Sequence, residues 1–275
     1  MSETAFDDRL THLPPAAARV GHAFARPRAI AAGCVIALTG AGWLVLGLMA
    51  SGARTGTIID LLCRPVAGPG GVTSAALVWL MWCAMALAMM LPSAAPMILT
   101  YAEIADTAAR KRKAVVSPLL LAAGYATVWF GFAAVAAAMQ MLLTGANPIN
   151  PASASAGSLL SGILFIAAGV YQFSALKHAC LRLCQRPFAF FFANWATTRH
   201  GVFGLGLRQG LYCLGCCWAM MLLMFATGVM NIVWMAALGA VMTIEKMKTT
   251  KTFSHALGAI FIAVGIAFVL SGVAR

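Results

Sequence analysis

The chain has 275 residues, of which 62% are hydrophobic and only 9% are charged, and its formal net charge at pH 7 is +12. Soluble domains carry roughly 25% charged residues, so this composition indicates an integral membrane protein. The basic residues stand at the ends of apolar segments, where membrane topology places them. This placement argues against nucleic-acid binding, which a positive net charge can otherwise indicate.

The N-terminal segment reads as a polar tail followed by a membrane span. Residues 1–28 mix acidic and basic side chains with prolines and end in Arg26-Pro27-Arg28. The apolar run that follows is too long for the hydrophobic region of a signal peptide. We therefore predict a cytoplasmic tail over residues 1–28 and an uncleaved first transmembrane span over residues 29–50.

Residues 72–275 contain six further apolar segments, which we interpret as a six-span membrane domain. A helix needs about 20 residues to cross the ~30 Å hydrocarbon core of a bilayer, and the sixth span is the shortest candidate. The sequence thus predicts an all-α, polytopic membrane helix bundle of about seven transmembrane helices. The predicted spans are 29–50, 72–99, 116–143, 156–176, 210–227, 229–244 and 253–273.

Lysine and arginine predict the orientation of the bundle, because they are enriched in cytoplasmic loops. With the N-terminus in the cytoplasm, Arg54, Arg64 and Arg275 are the only three of 19 basic residues assigned to the opposite side. Similar strings beginning at Trp82 and Trp218 also suggest that spans two to four and five to seven form an inverted three-helix repeat. With seven spans, the C-terminus lies on the side of the membrane opposite to the N-terminus.

Five of the eight cysteines form two clusters, Cys180 with Cys184 and Cys213 with Cys216 and Cys217. The predicted topology puts one cluster after the inner end of span four and the other at the start of span five. Thiols on the cytoplasmic side stay reduced, so structural disulfides are not expected. Clustered thiols there are more often metal ligands or redox groups.

Helical spacing extends both clusters into sulfur-rich faces. The first and last cysteine of each cluster are four residues apart and share a helix face, which Met220 and Met224 continue after Cys217. Span two carries a second methionine column that includes Met85, Met89 and Met90. Thiols and thioethers together select soft cations such as Cu(I), whereas a zinc site does not need methionines. Copper is therefore favoured over zinc, with these methionines as its path.

Two ionisable residues complete the candidate site. Glu245 ends span six, and a carboxylate at that depth is a functional candidate, although it can instead pair with a neighbouring lysine at the headgroups. His178 lies beside Cys180 and is a potential imidazole ligand. His12, His22, His200 and His255 have no ligand-like neighbours in the sequence.

Three functions stay open at this point. The first is binding of a soft metal for transport, delivery or homeostasis, with a cytoplasmic metal carrier or a membrane protein as partner. The second is a thiol–disulfide electron relay through the Cys213-x2-Cys216 spacing. The third is a non-catalytic scaffold whose aromatic and basic segment 188–199 docks a partner or anionic lipid. No GxSxG, HExxH or Walker motif is present, so an enzyme is not favoured.

Several motifs are similar to those of a known family. They are Ala88-Met89-Met90-Leu91-Pro92-Ser93, Tyr171-Gln172, Cys180-x3-Cys184, Gly210-Leu211-Tyr212-Cys213-Leu214-Gly215-Cys216-Cys217-Trp218 and Glu245-Lys246. Over residues 72–250 the chain resembles the bacterial DUF2182 family of predicted metal-binding integral membrane proteins. The resemblance implies that both cysteine clusters and Glu245 belong to the family pattern, and that the membrane is the bacterial inner membrane. The first span and the N-terminal tail lie outside the match.

Overall fold

The computed structural model describes residues 27–51, 72–111, 115–145, 149–150, 155–229, 231–247 and 250–273. The predicted tail up to residue 26 and the loop with Arg54, Cys63 and Arg64 lie outside them. The described residues form nine helices and one two-stranded ribbon, β1 (Ile149–Asn150) with β2 (Ser155–Ala156). The helices are α1 (Pro27–Ser51), α2 (Val72–Arg110), α3 (Pro118–Gly145), α4 (Ser158–Tyr171), α5 (Ala175–Gln185), α6 (Pro187–Ala193), α7 (Arg199–Thr227), α8 (Ile232–Met247) and α9 (Lys251–Val273).

The predicted all-α membrane architecture is confirmed. Five of the described helices are long and apolar enough to span a membrane, namely α1, α2, α3, α7 and α9. Helices α4 and α5 together make a sixth candidate, but they meet at a bend of 66°. Helix α8 has 16 residues, which is shorter than a typical span. The structure therefore supports five to six spans.

Two predicted boundaries are wrong. The fourth predicted span, 156–176, is not one straight helix, because α4 ends at Tyr171 and α5 begins at Ala175. Ser174 caps α5 by accepting a hydrogen bond from the Lys177 backbone N–H at 3.1 Å, which starts a new helix at that point. The fifth predicted span begins at residue 210, whereas α7 begins at Arg199 with Thr198 as its cap.

Glycines bring α4 and α9 into antiparallel contact. Gly162 lies against Gly265, and Gly169 lies against Gly258 about two helical turns away. A Cβ on Gly265 would stand 2.8 Å from the Gly162 carbonyl oxygen, so the backbones touch directly. Helices inside a membrane associate through this kind of close packing, since lipid provides no hydrophobic drive between them.

Helix α3 runs parallel to α7 and antiparallel to α2. Gly206 of α7 lies directly against the backbone of Leu121, and Gly210 lies further along α7 against Val128. The Tyr125 hydroxyl donates to the Met90 carbonyl of α2 at 3.2 Å, while Tyr101 near the other end of α2 bonds to Val116. This arrangement sets the middle of α7 beside the middle of α2.

The two prolines of α2 do not break the helix, which continues through both. Pro92 has no N–H and so leaves the carbonyl of Ala88, four residues earlier, without its helical donor. The Trp43 indole N–H of α1 donates to that carbonyl at 3.0 Å. An unpaired carbonyl is costly in a membrane, so this bond ties α1 to α2 at the proline.

The glycine contacts predict a stability difference between two Gly→Ala variants. Gly265→Ala places a Cβ against backbone atoms of α4, whereas Gly131 of α3 has nothing within 4 Å of an added Cβ. Both substitutions gain the same helix propensity, so Gly131→Ala is a matched control. We expect Gly265→Ala to be less stable by about 1–3 kcal/mol, measured by thermal unfolding in detergent. Equal stability of the two variants would contradict the packing.

Candidate metal centre

The cysteine triad of Cys213, Cys216 and Cys217 lies inside the bundle, on one uninterrupted helix. Its three sulfur atoms lie within 4.8 Å of one another, and all three side chains are buried. The Cys216 and Cys217 sulfurs are 3.2 Å apart. Cys213 lies roughly 21 Å along α7 from Arg199, at 1.5 Å per residue. The triad therefore lies near the middle of helix α7, because this helix begins well before the predicted fifth span, 210–227.

Two polar side chains from other helices contact the Cys213 sulfur, and a third polar side chain bonds to one of them. The Lys246 ammonium of α8 donates to the Cys213 sulfur at 2.9 Å and to the Ser93 hydroxyl of α2 at 2.6 Å. The Tyr125 hydroxyl of α3 lies 3.0 Å from the same sulfur. A positive charge and a hydroxyl at this distance both stabilise a thiolate, which is the form of cysteine that binds metals.

The second cysteine pair meets the triad from α5. Cys184 of α5 lies close to Cys216 of the triad. Cys180 packs against α7, since a Cβ added at Gly215 would stand 2.7 Å from its sulfur. The Tyr171 hydroxyl, just before the bend, donates to the Gly215 carbonyl. The bend between α4 and α5 thus directs both half-buried cysteines toward the triad.

The methionines proposed as a path are all buried, and some border the site. The Met220 sulfur accepts a hydrogen bond from the Gln172 side chain at 3.5 Å, and the Met224 side chain, also on α7, is fully buried. On α2, the Met90 carbonyl accepts from Tyr125 and from Ser93, so this part of the helix adjoins Cys213. Met85 and Met89 lie nearer the N-terminus of α2 and are also buried. Met89 packs against Gly239 of α8.

Glu245 belongs to a separate polar network. Its carboxylate forms an ion pair with Lys177 of α5 at 2.8 Å, and both side chains are almost fully buried. The Ser254 hydroxyl of α9 donates to the other carboxylate oxygen, and Gln172 accepts from Lys177. Gln185 donates to the Glu245 backbone carbonyl at 2.9 Å. Glu245 therefore joins α5, α8 and α9, while the next residue, Lys246, contacts the cysteines.

The remaining candidates lie away from the triad. His178 contacts His255 of α9, with ring centroids 5.3 Å apart, so His255 does have a ligand-like neighbour, contrary to the sequence reading. Cys83 is buried in α2, and Cys34 is half-buried in α1. Cys63, His12 and His22 lie outside the described residues.

Sequence reasoning did not place Tyr125, Ser93 or Lys246 at the metal centre. Tyr125 and Ser93 are separated from Cys213 by long stretches of chain, and no local spacing links them. Lys246 was visible only as a partner for Glu245. Lys246 is half-buried beside Cys213, and the one sequence signal for it was its place next to Glu245 at the end of an apolar segment.

The buried ion pair predicts a non-additive effect on stability. Lys177→Met or Glu245→Met leaves one buried charge without its partner, and we expect each to cost about 3–5 kcal/mol of stability. The double variant removes both charges and should recover most of that loss. Thermal unfolding in detergent measures the three variants, with the exposed carboxylate variant Glu103→Gln as a control. Additive losses in the double variant would show that the pair is not coupled.

Comparison with known proteins agrees with a metal-related role for this membrane bundle. The family model of PpoB2, described as copper chaperone, matches residues 79–268. This range contains the triad, α5 and the Glu245–Lys246 pair, while no curated protein and no solved structure matches the chain. The resemblance to DUF2182 stays a prediction. The match covers well over half of the sequence, and the chain therefore belongs to the PpoB2 copper chaperone family.

Proposed function

We propose that the protein binds Cu(I) inside its membrane bundle and passes it on, as a chaperone in copper delivery, transport or homeostasis. Cys213, Cys216 and Cys217 are the primary ligands. The observation that carries the proposal is the buried triad itself, with three sulfur atoms within 4.8 Å. Cys184 and Cys180 supply further thiols for relay from the side of α5.

The chemistry of the donors supports copper over zinc. Thiolate and thioether sulfur suit Cu(I), and the buried methionines Met220 and Met224 follow the triad along α7. Zinc sites are typically closed by four cysteine or histidine ligands and have no use for a thioether. The membership in a copper chaperone family points the same way.

Lys246 supports a cation bound by thiolates at this depth. Cu(I) bound by the three cysteines carries a net charge of −1 when two of them are thiolates and −2 when all three are. An isolated charge in a low-dielectric interior is costly, and the ammonium beside Cys213 compensates it. Lys246 is thus a positioning residue for the Cys213 sulfur and the counter-charge of the loaded site.

The proposal includes the finer topology expected from sequence. In it the protein spans the bacterial inner membrane seven times, with α8 as the sixth span, the N-terminus in the cytoplasm and the C-terminus in the periplasm. Helices α3 and α7 run parallel and helices α4 and α9 run antiparallel, as this order of spans requires. The inverted three-helix repeat stays a prediction.

A cytoplasmic metal carrier is the proposed partner. A cavity of about 520 Å³ opens between α2 and α6 and is lined by Phe188, Phe192 and Trp195 together with Glu103 and Lys111. Phe188 and Phe192 project from α6 as exposed aromatic side chains. Exposed aromatic residues next to charged ones are typical of a contact surface for protein or lipid.

Copper content tests the proposed function directly. Detergent-purified wild type, loaded with copper or zinc under reducing conditions, should retain stoichiometric copper by mass spectrometry. Cys213→Ser/Cys216→Ser/Cys217→Ser should lose this tightly bound copper, because the three thiolates that hold it are removed. Cys83→Ser is the matched control, since Cys83 is also a buried cysteine but lies outside the cluster.

The outcomes separate the alternatives. Copper lost in the triad variant and retained in Cys83→Ser would support the site. A wild type that stays metal-free but changes its free-thiol titre with oxidant would favour the electron relay. A wild type with neither property would leave the scaffold, and would overturn the proposal.

A further inference from the structure

His178 is a buried imidazole with an unused nitrogen. The side chain is 9% exposed, and its Nε2 atom has no hydrogen-bond partner among the described residues. A buried polar atom without a partner costs about 1–3 kcal/mol and calls for an explanation. A metal ion bound at this nitrogen is one such explanation, and neutral imidazole is the commonest metal-binding side chain.

A second imidazole lies next to it on another helix. His255 of α9 stands with its ring centroid 5.3 Å from that of His178, and the two planes are nearly perpendicular, at 76°. Phe173 stacks on the His255 ring at 5.2 Å. His255 is exposed, so the pair joins a buried ligand to one that an incoming ion can reach.

The separation of the two rings fits a shared ion. Metal–nitrogen bonds to histidine are about 2 Å long. The centroids of two imidazoles on one ion therefore lie no more than about 6 Å apart, and they come closer when the angle at the metal is bent. With the ring centroids 5.3 Å apart, small side-chain rotations are enough to direct one nitrogen of each ring at a shared ion.

The charges around the pair favour a monovalent ion. Lys177, Lys251 and Glu245 are the charged groups that act on His178. Lys177 is neutralised by Glu245 at 2.8 Å, and Lys251 is exposed at the start of α9, where its charge is screened. Two neutral imidazoles hold Cu(I) without adding charge, and they hold it less tightly than thiolates do.

We propose that His178 and His255 form a second, weaker Cu(I) site, distinct from the cysteine triad and built between α5 and α9. The inference rests on the proposed function only in the choice of ion. Because α5 also carries Cys180 and Cys184, copper held by the histidines lies on the same helix as the thiols that contact α7. The pair is an entry site for copper at this end of the bundle.

Cu(I) titration of cysteine-to-serine variants tests the second site. Cys180, Cys184, Cys213, Cys216 and Cys217 are all replaced by serine, and copper is added against a competing chelator. X-ray absorption then reports the ligand atoms. We expect one copper per chain with nitrogen ligands, which is lost after His178→Gln/His255→Gln and kept after His200→Gln, an exposed histidine on α7.

Wild-type protein provides a second measurement in case the serine variant does not fold. His178→Gln/His255→Gln in the wild-type background should lower the copper capacity by one ion per chain and remove the nitrogen ligands, while the sulfur ligands remain. Unchanged capacity and unchanged nitrogen ligands in that variant would overturn the histidine site alone. If wild-type protein bound no copper through sulfur, that result would instead overturn the proposed function.

Discussion

The two consecutive residues at the end of α8 hold opposite charges, and the inner polar structure of the bundle is organised around them. Glu245 pairs with Lys177 and accepts from Ser254, so it anchors α5 and α9 to α8. Lys246 reaches the other way, to Cys213 of α7 and Ser93 of α2. A charged group that is buried away from water must find its partner inside the protein. One dipeptide thus fixes four helices around the cysteines.

The bend between α4 and α5 is the second constraint, and it depends on the first. Ser174 begins α5, and Lys177 then enters the interior one turn later, where it pairs with Glu245 and contacts Gln172 at the end of α4. A straight helix would carry Lys177 away from Glu245 along the axis of α4. The bend also turns Cys184 toward Cys216, so the ion pair and the meeting of the two cysteine clusters have the same structural cause.

Sequence reasoning predicts what repeats along one helix and misses what joins different helices. The apolar runs predicted both ends of α1 and α9, and the start of α2, to within a few residues. The end of α2 was missed, because this helix continues from residue 99 to Arg110. The spacing of Cys213 and Cys217 correctly indicated one helix face. The bend after Tyr171 was missed because Gln172, Phe173 and Ser174 do not interrupt the apolar pattern strongly. Tyr125 was missed because its contact with Cys213 spans 88 positions.

The position of the triad also favours metal binding over thiol exchange. Reactive redox cysteines lie at helix N-termini or in partly exposed positions, where the helix dipole lowers the cost of a thiolate and a partner thiol can attack. Cys213, Cys216 and Cys217 lie in the middle of α7 and are at most 2% exposed, so a protein disulfide cannot reach them. The charge that stabilises a thiolate here comes from Lys246, a residue held by tertiary packing and not by a helix end. A triad buried in this way is suited to holding a desolvated ion between helices.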